Sequence, residues 1–230
     1  MIKKNLKTMI ITSIIILAPI VAGLLLWNQL PAEMATHFGS DGEPDGWSSK
    51  EFAVIGLPLF LLAVHWFCAA FTGVDPKKEN ISNKMMTLIL WICPVVAIVG
   101  DGSMYLYALN NSINTTIIGV ILVGCLLLVL GNYMPKMKQS YTLGIKLPWT
   151  LNSEENWNRT HRLAGWITML AGVIVLIGGF IEQFWTVFVA IALVAVVPAF
   201  ILMCFIKREF NLSKYYFSQK KYRKAERCSP

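Results

Sequence analysis

Charged side chains are scarce here. Asp, Glu, Lys and Arg make up 14% of the 230 residues, against 56% hydrophobic residues. Soluble domains usually carry about a quarter charged residues, so an ordinary soluble core is excluded and lipid becomes the expected solvent. Cysteine pairing is missing as well. Cys68, Cys93, Cys125 and Cys204 lie inside apolar runs and Cys228 in a basic tail, and no two have C-x-x-C spacing. That pattern reads as small buried hydrophobes, which sets aside a disulfide framework and a zinc site. No H-E-x-x-H, no G-x-S-x-G and no paired catalytic carboxylates occur, so no enzyme class is indicated. Basic charge is absent from one set of connections: every Lys and Arg except Lys50 falls in the other set.

What is present is a series of six apolar runs, Thr8–Leu30, Phe52–Thr72, Met85–Leu109, Ile113–Gly131, Leu163–Ile181 and Phe184–Ile206. Each is long enough to cross a hydrocarbon core of roughly 30 Å. None shows the period-two alternation of a barrel wall. The first run follows Lys3, Lys4 and Lys7 but exceeds the apolar length of a signal peptide, so it is expected to be retained. Positive charge resists translocation, which puts the Lys- and Arg-rich segments in the cytoplasm. The expectation is an all-α polytopic integral membrane protein with six transmembrane helices and both termini cytoplasmic. Its parts are a first helix pair (1–72) with an acidic extracellular loop (31–51), helices three and four (73–131), a motif loop (132–162) with helices five and six (132–206), and a basic tail (207–230). The net charge of +7 is explained by this orientation, without direct nucleic-acid binding. In the tail, Lys214 to Lys224 interleave with tyrosines and Phe217, a pattern suited to anionic lipid.

The outer loop reads LPAEMATHFGSDGEPDGWSSK and holds five carboxylates with Glu51 included, against Lys50. Asp41-Gly42 and Pro44-Asp45-Gly46 are turn formers, and Trp47 suits the headgroup layer. His37, Asp41, Asp45 and Trp47 are the candidate residues. Asp41-x-Glu43-x-Asp45-Gly46 imitates the start of an EF-hand loop, but Phe52 stands where that loop needs a bidentate Glu. A compact turn-rich loop without metal is the expectation. Inside the spans, His65 and Asp101 are the two ionisable groups, and such groups carry function by default. Their depths differ too much for direct contact, and Asp101, between Gly100 and Gly102, is expected to line an outward-facing vestibule. Pro19, Pro58, Pro94 and Pro198 fall within spans and indicate kinks.

The inner loop reads YTLGIKLPWTLNSEENWNRTHRLAGW. Gly144 permits a turn and Pro148 forces Leu147 toward extended geometry. Asn152 with Glu155 forms a capping box, so a helix should start near Ser153 and run into the fifth span. Trp157, His161 and Gly165 then share one face, with Arg159 and Arg162 nearer the headgroups. On physics alone this is an elbow anchored at the bilayer surface, or else a docking site.

The segment GIKLPWTLNSEENWNRTHRLAG strongly resembles the signature of the SdpI family, immunity proteins against a secreted killing peptide. The family pattern takes Arg or Lys where this chain has Lys146. The preceding LP…HFGSDGEPDGW…K looks like the domain of unknown function that often precedes it, and the order of the two covers nearly the whole chain. The resemblance implies resistance to a secreted peptide toxin at the bilayer, in the cell membrane of a Gram-positive bacterium, with no cofactor. It also implies a second role, holding a small cytoplasmic transcriptional repressor at the membrane. Gly144, Lys146, Pro148, Trp149, Thr150, Trp157, Thr160, His161 and Arg162 are the residues it marks for toxin or partner binding. The rival reading is a small-solute or proton-coupled membrane transporter working through Asp101 or His65.

Overall fold

The computed structural model describes residues 2–39, 43–110, 113–181 and 185–194. It is mostly helical, in an up-and-down order. Helix α1 spans Leu6–Leu25, α2 Leu57–Gly73, α3 Asn83–Leu109 and α4 Thr115–Tyr133. After the one-turn α5, Pro148–Leu151, comes α6, Glu154–Phe180, and residues 186–194 begin a further helix, α7. Among the described residues, five helices are long and apolar enough to cross a membrane. The rest of the expected sixth span and the basic tail lie outside the described residues, as does Asp41. Large apolar side chains cover the outside of the bundle, among them Ile14, Val21, Phe60, Phe67, Trp166 and Phe180. A continuous apolar exterior is the mark of a protein whose solvent is lipid.

Helices α1, α2 and α3 form one packed unit. At the end that holds the N-terminus and the α2–α3 connection, Met9, Ala69, Met86 and Leu90 are buried together. His65, 1% exposed, places Nε2 3.0 Å from Thr12 Oγ1 of α1. The threonine hydroxyl lies 2.9 Å and 3.0 Å from the Thr8 and Met9 carbonyls, which takes its proton and leaves a lone pair for the imidazole. His65 therefore has its partner on α1. Asp101 is 5% exposed, inside the packing instead of lining a vestibule, and its Oδ2 has no hydrogen-bond partner among the described residues. One turn on, Tyr105 donates its hydroxyl to the Pro19 carbonyl at 3.1 Å. Pro58 removes one ladder donor, and a π-turn over Phe52–Gly56 leads into α2 just before it.

The expected turn-rich outer loop is instead a β-hairpin, β1 Glu33–Phe38 against β2 Pro44–Ser49, antiparallel. Its register slips on either side of His37, where Gly46 faces it across the bulge. Met34 points into a cluster with Leu30, Ala53, Val54, Met104 and Tyr105, so the hairpin lids the bundle end. Phe38 meets Tyr107 edge-to-face at 4.9 Å. His37 pairs with Asp45 on the exposed side, and Trp47 remains 55% exposed. The exceptional Lys50 has a local task. Its Nζ donates to the Trp27 and Leu30 carbonyls at 3.0 and 2.9 Å, closing the turns that follow α1.

The tightest helix contact is α4 against α6. A Cβ on Gly165 would lie 2.8 Å from the Gly131 carbonyl oxygen, and one on Gly172 would lie 2.9 Å from the Gly124 carbonyl oxygen. The backbones touch at two levels seven residues apart, an arrangement only small residues allow. Ala171, Val175 and Val120 fill the seam, with Ala190 of α7 against it. Gly172→Val should therefore overpack the pair and cost about 1–3 kcal/mol. The check is a lowered midpoint of SDS-induced unfolding of purified protein, with Gly119→Ala, where a Cβ meets open space, as the neutral control.

Candidate functional site

The chain between α4 and α6 folds as an elbow at the end of the bundle opposite the hairpin, and local chemistry accounts for each bend. Leu147 is extended (φ −122°, ψ 154°), as the following proline requires, and Pro148 opens the single turn of α5. Thr150, fully buried, accepts from the Leu147 amide and lies 2.9 Å from both the Ile145 and Leu147 carbonyls. The N-cap of α6 is Ser153, whose Oγ accepts from the Asn156 amide at 3.3 Å. The helix starts where expected, but its cap is one residue later than an Asn152–Glu155 box. Glu154 and Glu155 occupy the positive end of α6, and Glu155 pairs with Arg159.

Trp157 and His161 form the elbow's floor. Both are 0% exposed and stack with ring centroids 4.0 Å apart. Trp157 donates Nε1–H to the Met137 carbonyl at 2.8 Å, so this indole belongs to the protein interior and not to the headgroup layer. The Ile145 amide donates to His161 Nε2 at 3.0 Å, and His161 Nδ1 faces the Trp157 carbonyl at 2.9 Å. An acceptor at Nε2 and a carbonyl at Nδ1 together select the neutral Nδ1–H tautomer. Gly144 crosses above with φ 92°. A Cβ there would run into His161 Nε2 and lie 3.0 Å from the Trp157 ring. Thr160 is buried and donates to the Asn156 carbonyl at 2.6 Å.

Two residues that sequence reading passed over tie this elbow to the first helical unit. Asp75, 2% exposed, lies in the short connection between α2 and α3. Its Oδ2 accepts from Ser140 Oγ (2.7 Å), Tyr141 N (3.0 Å), Thr142 N (2.8 Å) and Thr142 Oγ1 (2.6 Å), and its Oδ1 accepts from Lys77 N (2.6 Å). Burial alone would push this carboxyl up, but the Thr142 and Ser140 hydroxyls and the Lys77 and Thr142 amides outweigh it and hold the pKa at about 2. The stabilisation this ionised group gives is present above its unfolded pKa and is lost only as pH falls toward 2. Gln139 completes the tie. Its Nε2 donates to the Thr150 and Leu151 carbonyls at 2.8 Å each, Oε1 accepts from Lys77 Nζ, and its carbonyl accepts from Asn80 at 2.8 Å. An Asp-Pro pair after a span and a Gln-Ser-x-Thr run were the available signals, but each alone reads as an ordinary turn.

The structure thus divides the nine motif residues. Gly144, Thr150, Trp157, Thr160 and His161 form a frame whose polar side-chain groups are satisfied internally. Lys146, Pro148 and Arg162 are exposed and Trp149 is half-buried. Lys146 donates to the Thr142 carbonyl at 3.3 Å, and Trp149 Nε1 has no partner among the described residues. The outer candidates His37, Asp45, Trp47 and Asp101 are not brought to this place. The frame makes a direct prediction: Gly144→Ala strains a left-handed residue and displaces His161. The loss should be about 2 kcal/mol or more, read as a lower unfolding midpoint with quenched burial of the Trp157 fluorescence, while Lys146→Ala leaves both unchanged.

Comparison with known proteins places a family on this geometry. Residues 136–205 match the SdpI/YfhL protein family, and residues 14–62 match a domain of unknown function, DUF1648. The chain is 24% identical over 193 residues to Immunity protein SdpI of Bacillus subtilis (strain 168), an alignment spanning 82% of this chain and 89% of that protein. No solved structure matches. The segment that matches the SdpI/YfhL family model thus contains the elbow and α6, and it follows an N-terminal stretch that matches DUF1648.

Proposed function

We propose that this protein is a non-enzymatic membrane immunity protein that protects its cell from a secreted peptide toxin. The observation that carries the reading is the likeness to Immunity protein SdpI over most of both chains. The geometry supports it by offering a rigid elbow with a small outward set of side chains, Lys146, Pro148, Trp149 and Arg162. These face the end of the bundle that holds the N-terminus and the α2–α3 connection, while the hairpin caps the other end. With the basic residues on the elbow end, that end is cytoplasmic, both termini lie there, and six helices span a Gram-positive cell membrane. The same face, once the toxin is bound, holds a small transcriptional repressor at the membrane.

Topology is tested by labelling. A cysteine replacing Ser40 should react with an impermeant maleimide in intact cells and Cys228 should not; the reverse pattern would invert the assignment. Activity is tested by expression in a toxin-sensitive Gram-positive strain, scoring survival against secreted peptide toxins. A surface anchor needs only a cation at Arg162 and an amphipathic aromatic at Trp149. A docking face uses the planar multi-donor guanidinium, which Lys replaces poorly. Arg162→Lys should lower the toxin dose that cells survive about tenfold, equivalent to about 1.4 kcal/mol of binding, and Trp149→Tyr by less, with membrane abundance unchanged. Full protection by both variants would move the activity away from the elbow.

A further inference from the structure

We infer that Asp75 is a positioning residue: its carboxylate latches residues 140–142 of the elbow to the α2–α3 connection and so holds the outward face of the elbow in register. The inference rests on the immunity reading only for its functional arm. Oδ2 alone collects four donors from three consecutive residues, Ser140, Tyr141 and Thr142. Ser140 Oγ in turn accepts from the Thr142 and Leu143 amides at 3.2 and 3.1 Å, so the segment is curled around one oxygen. Two residues further on the chain reaches Gly144 and Ile145, whose amide holds His161, and then Lys146, Pro148 and Trp149. The acceptor sits on the opposite helical unit. Apart from this tie and its Gln139 companion, that unit meets the α4–α6 pair mainly along α3 and α4. No apolar contact could replace the latch, because it would leave the Tyr141 amide without this acceptor and the Thr142 amide with Ser140 Oγ alone. An amide side chain is a poor substitute too, since it turns an NH2 toward a set of donors.

The test uses the full-length protein in detergent or nanodiscs, with hydrogen–deuterium exchange read at single residues. In Asp75→Asn, the Tyr141 and Thr142 amides should exchange about tenfold faster or more, as expected for losing buried charged acceptor bonds. Amides in the middle of α3 and α6 should keep their rates. Thr142→Val with Ser140→Ala attacks the same latch from its other side and should give the same local pattern, and combining it with Asp75→Asn should add little. In the survival assay each variant should lose protection at normal membrane abundance. Unchanged exchange at Tyr141 and Thr142, or additive effects in the combined variant, overturns the latch. Loosened exchange with full protection overturns its positioning role. If the unaltered protein gives no protection against any toxin while the exchange pattern holds, the immunity reading fails and the latch stands.

Discussion

Where Gly131 meets Gly165, a side chain on either residue would fall 2.8 Å from the other's carbonyl oxygen, and the elbow inherits its geometry from that contact. In lipid there is no hydrophobic drive between helices, so close packing has to hold α4 on α6. Pro135 lies against the same point, since a Cβ on Gly165 would also sit 2.7 Å from its Cδ. The chain therefore leaves α4 directly beside the start of the membrane-buried part of α6. That exit puts the Met137 carbonyl within 2.8 Å of Trp157 Nε1 and lets the following residues cross over His161. A wider helix pair would separate these groups, and the indole and imidazole would lose the partners that allow them to be buried.

The frame of the elbow is accordingly a polar structure made stable by mutual satisfaction, with Trp149 Nε1 beside it as the buried donor left without a partner among the described residues. Asp75, Gln139, Ser140, Thr150, Thr160 and His161 are all buried, and each has partners within hydrogen-bond distance. Buried polar groups specify a unique arrangement only when every member is satisfied. This is also why a motif of nine residues does not describe nine equivalent contacts. Most of its members satisfy each other and leave a few at the surface, where specificity toward a partner has to reside.

Much of this was legible in the sequence. The helical character, the five described spans, the continuous run from Ser153 into the fifth span and the shared face of Trp157, His161 and Gly165 follow from apolar length and helical period. The hairpin was hidden because Pro44-Asp45-Gly46 and Asp41-Gly42 read equally well as isolated turns, and β1 has too few apolar residues to show alternation. The glycine contacts were visible as seven-residue spacing, Gly124 and Gly131 against Gly165, Gly172 and Gly179, yet nothing local says that two particular helices meet. Asp75 was hidden for a deeper reason. Four of its five donors lie more than sixty residues away, and a carboxylate accepting five bonds has the same sequence appearance as one in a solvated loop. Asp101 shows the converse. Its flanking glycines suggested open space, and a Cβ on either indeed meets nothing within 4 Å, but the aspartate itself turns inward.

The length of α6 limits what the proposed docking face can receive. Its 27 residues extend about 40 Å, and the hydrocarbon core takes roughly 30 Å of that. About seven residues must then project, which are Glu154 to Thr160, and the floor of the elbow at His161 falls at the boundary. Arg162 is one residue further along, exposed at the level where acyl chains give way to headgroups. Trp149, half-buried, lies on the one-turn helix that α6 packs against. A partner that engages both must itself lie in the interfacial layer, with an apolar side for the indole and an acceptor for the guanidinium. A membrane-active amphipathic peptide satisfies that requirement directly, whereas a soluble protein satisfies it only by lowering part of its own surface into the headgroups.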